Sequence, residues 1–206
     1  MNKLFYYPGA CSIGIHVLLE EIGVPYAAEP VNLREPPAHR PLTSLNPKSQ
    51  VPTLVRADGS VLTQFPAIAV WLASTHPDAG LLPGDADGLA RALETIDYCT
   101  GTLHAEGFRR ILRPGNFSPS EAEHEAVKAR GLEIFTKGLE LLDRSLAGRE
   151  YAVGEKFTVA DAALFYIEFW GADRLKLTLP PHCAAHLARL KARPAVAAVL
   201  QKEGYA

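Results

Sequence analysis

Cysteine is scarce in this chain. There are three in 206 residues, Cys11, Cys99 and Cys183, widely separated, odd in number and with no C-x-x-C pair. That supports neither a disulfide framework nor a zinc site. No apolar run reaches the roughly 20 residues that span a bilayer. The N-terminus has one early lysine, then aromatics and a Pro-Gly turn, instead of the unbroken apolar stretch of a secretion signal. A cytoplasmic protein without a membrane partner is expected. Excess charge is missing too: 21 Lys and Arg against 23 Asp and Glu leave a net charge of −2, which gives no electrostatic reason to expect nucleic acid. No internal repeat or low-complexity segment occurs. What remains is the composition of an ordinary folded chain, 48% hydrophobic, long enough for one large domain or two small ones.

The most informative stretch is Tyr7-Pro8-Gly9-Ala10-Cys11-Ser12. It joins a short apolar run, Leu4 to Tyr7, to an amphipathic one with Ile15, Leu18, Leu19 and Ile22 at helical spacing. This reads as strand, tight turn and helix with a thiol on the turn. Unpaired N–H groups and the helix dipole at that position favour a thiolate. A small buried thiol packed under the turn fits the same residues.

Gly23 and Pro25 end the first helix, and Tyr26 to Leu33 reads as a second strand that Pro30 confines to an edge. Arg34 to Pro47, with four prolines, reads as loop with one short helical turn. Val51 to Val55 and Ser60 to Leu62 flank an Asp58-Gly59 hairpin turn, with Pro52 a candidate cis peptide. Pro66 opens a helix whose Ile68, Trp71 and Leu72 face inward. Residues 1–77 thus read as an α/β domain and 78–88 as a linker rich in turn formers; beyond it, strand signals stop and 89–206 reads as an all-helical domain. Within it, Leu89 to Leu112 is one helical stretch. Ser118-Pro119-Ser120-Glu121 carries capping residues for a helix with Leu132, Phe135, Leu139, Leu142 and Leu146 facing inward. Thr158 and Asp161 form a capping box for a buried helix from Val159 to about Ala172, and two short helices separated by Pro194 follow.

Four segments together, Leu4 to Ser12, Asn46-Pro47-Lys48-Ser49-Gln50-Val51-Pro52-Thr53-Leu54, Ala67-Ile68 and Phe157-Thr158-Val159-Ala160-Asp161, resemble bacterial beta-class glutathione transferases in identity, order and spacing. The resemblance runs from Met1 to about Gly204. It implies a thioredoxin-like N-terminal domain, an all-helical C-terminal domain, a homodimer, a glutathione site between the domains, no metal, and a detoxifying transferase that conjugates glutathione to small hydrophobic electrophiles. Carried over by residue, Cys11 resembles the cysteine beside the glutathione sulfur, with Tyr6 and Ser12 as neighbours. Val51 resembles the residue whose backbone pairs with the cysteinyl part, Pro52 the cis-proline, and His104 a histidine reaching the cleft from the helical domain.

Four departures stand out. Ser49 replaces a glycine. Gln64-Phe65 replaces an acidic-then-small pair at the γ-glutamyl end, so that Phe65 adds bulk and lacks a hydroxyl. Ala105-Glu106 stands where a lysine follows the histidine. The glycyl end lacks its lysine, leaving Arg34 or His39 to serve. Weak glutathione binding is expected from these changes. Two other functions fit the same residues: a monothiol oxidoreductase using Cys11, with Gly14 at the position of a resolving cysteine, and a non-catalytic binding or regulatory protein, for which Phe65 is the main argument.

Overall fold

The computed structural model describes residues 1–205. Strand β1 (Asn2–Tyr6), helix α1 (Ser12–Ile22) and strand β2 (Tyr26–Pro30) form a crossover unit. Because α1 returns the chain to the same end of the sheet, β2 pairs parallel with β1, from Asn2 opposite Tyr26 to Tyr6 opposite Pro30. Strands β3 (Thr53–Val55) and β4 (Val61–Thr63) form the expected hairpin, closed by Gly59 at φ 85°, and α2 (Phe65–Thr75) follows. The sheet order β2-β1-β3-β4 leaves Pro30 on an edge, as its sequence context predicts.

The two-residue period of β1 separates two cores. Leu4 and Tyr6 face the helices, whereas Phe5 packs on the opposite face with Val31 and Leu42. The loop covering that second face holds two short 3₁₀ turns, Pro37–His39 and Pro41–Ser44, where the sequence suggests one. On α2, Ile68 and Leu72 are buried as expected, but Trp71 is only half-buried, under the Arg56 guanidinium 5.5 Å from its ring centre.

The remaining elements are helical: α3 (Ala86–Asp97), α4 (Arg109–Leu112), α5 (His124–Leu146), α6 (Val159–Phe169), α7 (Pro181–Lys191) and α8 (Pro194–Lys202). Helix α3 begins inside the expected linker because Asp85 caps it, accepting the Gly88 N–H at 2.8 Å. Between α3 and α4 the chain does not break but widens into π-helical geometry over Tyr98–Phe108. Residues Trp170–Arg174 do the same after α6, so that helix ends regularly at Phe169.

Phe135, Leu139, Leu142 and Leu146 form the buried stripe of α5, but Leu132 is 40% exposed. Gly131 takes the contact instead: a Cβ there would lie 2.7 Å from the Gly107 carbonyl, so this side of α5 approaches backbone to backbone. The Ser118 capping box does not form. Ser118 accepts the Ser120 N–H at 3.1 Å and bonds Glu123, and a 3₁₀ turn, Glu121–Glu123, precedes α5. The Thr158 box does form, with the Thr158 N–H donating to Asp161 Oδ2 at 2.8 Å. All eleven residues of α6 are buried, and its walls are α1, α3 and α7.

Candidate active site

The turn between β1 and α1 closes with the Ala10 N–H donating to the Tyr7 carbonyl at 2.9 Å and Gly9 at φ 67°. It delivers Cys11 to the first residue before α1. The Cys11 side chain is 7% exposed, and its thiol donates toward the Val51 carbonyl at 3.6 Å. The Val51–Pro52 peptide is cis. Burial pushes the Cys11 thiol up to about 12, against the opposing pull of the Cys11 and Ser12 backbone groups. Of the two states the sequence allows, burial favours the neutral thiol.

The two proposed neighbours of Cys11 lie in buried surroundings. Ser12 is fully buried, its hydroxyl 3.3 Å from the Tyr7 N–H and 3.4 Å from the Tyr7 carbonyl, so it braces the turn. The Tyr6 ring packs on His16, with ring centres 5.1 Å apart, and lines an open cavity of about 570 Å³ between α1 and β2. His16 itself donates or accepts at Nδ1 with Glu203 Oε1 at 2.7 Å, and Glu203 Oε2 accepts the Gly9 N–H at 2.8 Å. Nothing local in the sequence marks this pair, since a glutamate distant in sequence and a histidine on an apolar helix face carry no signal of their own.

At the start of α2, Gln64 is exposed and held at φ 75°, ψ 131°, a backbone state that non-glycine residues adopt only under constraint. The Phe65 ring turns away from that start. It is 4% exposed and lies against Tyr166 of α6, ring centres 5.3 Å apart, so its bulk enters the core and does not cover the α2 N-terminus. Lys48 reaches the same end, its Nζ donating to Thr63 Oγ1 at 2.6 Å. Ser49, where the resemblance has glycine, sits at φ 51°. Arg40 offsets that strain by donating to the Ser49 carbonyl at 2.9 Å, and also to the carbonyls of Leu33 at 2.8 Å and Glu35 at 2.6 Å. Arg40 therefore fixes the loop leading to Val51, a role hidden in the sequence among four prolines. Arg34 and His39 are exposed on this loop.

His104 lies in the π-helical stretch, edge-on to Trp170 at 4.8 Å and to Tyr166 at 6.0 Å between ring centres. Burial, then the Arg109 charge, lowers its pKa to about 4, so it is neutral at pH 7. Tyr166, in contact with both Phe65 and His104, joins the two halves of the chain, and its buried hydroxyl has no protein partner. Phe108 stacks on Trp170 at 4.0 Å and completes an aromatic wall. Among the described residues, no three His, Cys, Asp or Glu side chains converge to hold a metal ion.

Comparison with known proteins points to one family. Residues 9–75 match the model for the glutathione S-transferase N-terminal domain, and residues 113–203 that for its C-terminal domain. Glutathione S-transferase GstA of Escherichia coli O157:H7 is 35% identical over 206 residues, covering 98% of both chains. The chain belongs to the glutathione S-transferase family. A sphingomonad glutathione S-transferase complexed with glutathione superposes with a TM-score of 0.83 at 32% identity, covering 99% of this chain and 100% of the other. A relative named maleylpyruvate isomerase, from a Ralstonia species, is 33% identical over 191 residues, 87% of this chain and 86% of that protein. The sheet with its helices and the helical half that follows are thus the thioredoxin-like and all-helical parts of a glutathione S-transferase.

Proposed function

We propose that this family member is a glutathione transferase that conjugates the glutathione thiolate to small hydrophobic electrophiles, with detoxification as its role, as a cytoplasmic homodimer. One observation carries the reading: a buried Cys11 thiol at the start of α1, donating toward the Val51 carbonyl at 3.6 Å. A free thiol of the glutathione kind has a pKa near 8.5, so only a few per cent is thiolate at pH 7. Lowering that by one to two units requires roughly 1.4 to 2.7 kcal/mol of differential stabilisation. A neutral S–H donor at the start of a helix supplies stabilisation of that kind without placing a second anion in the site.

In this scheme the bound sulfur takes the Cys11 S–H, and the Val51 carbonyl that Cys11 now faces becomes free for the cysteinyl N–H of glutathione. Gln64 holds the γ-glutamyl ammonium, and the Phe65 N–H with Lys48 holds its carboxylate. Arg34 or His39 meets the glycyl end. The glutathione thiol gives up its proton to solvent, and the sulfur then attacks an electrophilic carbon held in an apolar pocket lined from the helical domain. A C–S bond forms, and the leaving group departs with its electron pair.

The oxidoreductase alternative needs Cys11 as a thiolate nucleophile, and its burial argues against that. The binding-protein alternative rested on Phe65, whose ring lies in the core. The dimer is what the resemblance to bacterial beta-class glutathione transferases implies. Calorimetric titration with glutathione and turnover of an aryl chloride test the proposal. Binding with turnover is expected. Binding without turnover would favour the binding protein, and a glutathione mixed disulfide on Cys11 the oxidoreductase.

A further inference from the structure

The turn that carries Cys11 is held from outside itself. Its internal bonds, Ala10 N–H to Tyr7 and Ile13 N–H to Ala10, leave the Pro8 carbonyl and both polar groups of Gly9 unused. Four side chains from the helical half take them. Gly9 N–H donates to Glu203 Oε2 at 2.8 Å; Gly9 O accepts from Trp170 Nε1 at 2.8 Å and Arg174 Nη1 at 2.9 Å; Pro8 O accepts from the Tyr205 hydroxyl at 3.3 Å.

These four differ in what else they do. Trp170 and Glu203 are buried and belong to the aromatic wall and the His16 pair. Arg174 is half-exposed and Tyr205 41% exposed, so both stand at the rim. Arg174 lies one turn beyond Trp170, which lets both donors reach one carbonyl. The Tyr205 ring sits edge-on to Phe169 at 4.9 Å between centres, and a Cβ on residue 9 would come within 2.2 Å of its hydroxyl oxygen, so only glycine admits this contact.

We propose that Arg174 and Tyr205 are positioning residues that clasp the Pro8–Gly9 turn and set how often it opens to uncover Cys11. Tyr205→Phe keeps the ring on Phe169, and Arg174 stands at the rim, so the clasp bonds can be removed without the packing around them. In the closed turn the thiol is buried and neutral, so an alkylating reagent reaches it through the open form, and the labelling rate follows the opening equilibrium.

Iodoacetamide labelling of the full chain at pH 8, resolved by cysteine through mass spectrometry, tests this with internal controls. Cys99 and Cys183 are both 0% exposed and report global opening. Tyr205→Phe removes one hydroxyl and should speed Cys11 labelling about fivefold, the equivalent of one ordinary hydrogen bond. Arg174→Met removes a charged donor and should speed it about tenfold or more, while Arg174→Lys, which keeps a donor, stays within about twofold of the parent. Cys99 and Cys183 should label as before. Unchanged Cys11 labelling in the Arg174→Met, Tyr205→Phe double variant overturns the proposal, as does a rise shared in proportion by Cys99 and Cys183.

Discussion

Phe65 and Gly14 are locked together: a methyl group on Gly14 would lie 2.8 Å from Cε2 of the Phe65 ring and 2.4 Å from the Ala162 carbonyl. The ring that replaces a small residue at the start of α2 is thus a wedge between α1, α2 and α6. It buries itself against Tyr166 as well.

The first expectation follows from that wedge. Phe65→Ser removes a core ring, which should cost about 3 to 5 kcal/mol of stability in urea unfolding. Its gain in glutathione affinity should be less than tenfold, because the ring lies in the core and does not cover the N-terminus of α2. Unchanged stability with a larger affinity gain in calorimetry would show that the ring does obstruct the site.

The difference between reading and structure here is physical. A sequence shows that Phe65 is bulky, but the direction of its ring depends on the gap that Gly14 leaves in another helix. The strand, turn and hairpin signals were legible because they are local: Gly23, Asp58-Gly59 and the Thr158 box each act within a few residues. Leu132 and Ser118 went astray for the opposite reason, since backbone approach at Gly131 and the Glu123 contact override local periodicity and capping. The π-helical widening around His104 also carries no signature in residue type. Cys11 is legible from its place on the turn, yet its protonation is set by burial, which depends on packing distant in sequence, such as the Val51 carbonyl that faces its thiol.

A second expectation concerns pH. His186 is wedged between Glu168 Oε2 at 2.8 Å and Asp161 Oδ1 at 3.0 Å, all with side chains at most 1% exposed. Burial raises Glu168 to about 7, against its bond to His186. Burial alone would lower His186, but its hydrogen bonds to Asp161 and Glu168 outweigh that and raise it to about 9. Both groups hold protons more tightly folded than unfolded, so each contributes stability at low pH that is lost as pH rises through its folded pKa. The fall attributable to Glu168 runs from its ordinary carboxylate range up to about 7, and that of His186 on to about 9. Urea midpoints should show Glu168→Gln gaining stability relative to the parent as pH rises from about 5 to 7. A constant difference over that range would contradict the assignment.

The oligomeric state gives a third expectation. Light scattering at micromolar concentration should report twice the chain mass of 22.3 kDa. A stable monomer in the parent protein removes the dimer.

In the proposed mechanism Cys11 is a donor to the glutathione sulfur and not the nucleophile. The direct measurement is the pH profile of kcat/KM for conjugation of an aryl chloride by the parent and by Cys11→Ala. Losing one bond to a charged sulfur should lower kcat/KM about 10- to 100-fold at neutral pH and raise the apparent pKa of bound glutathione by about one to two units, with conjugation still measurable. Complete loss of conjugation in Cys11→Ala, or a profile that does not move, would contradict the account.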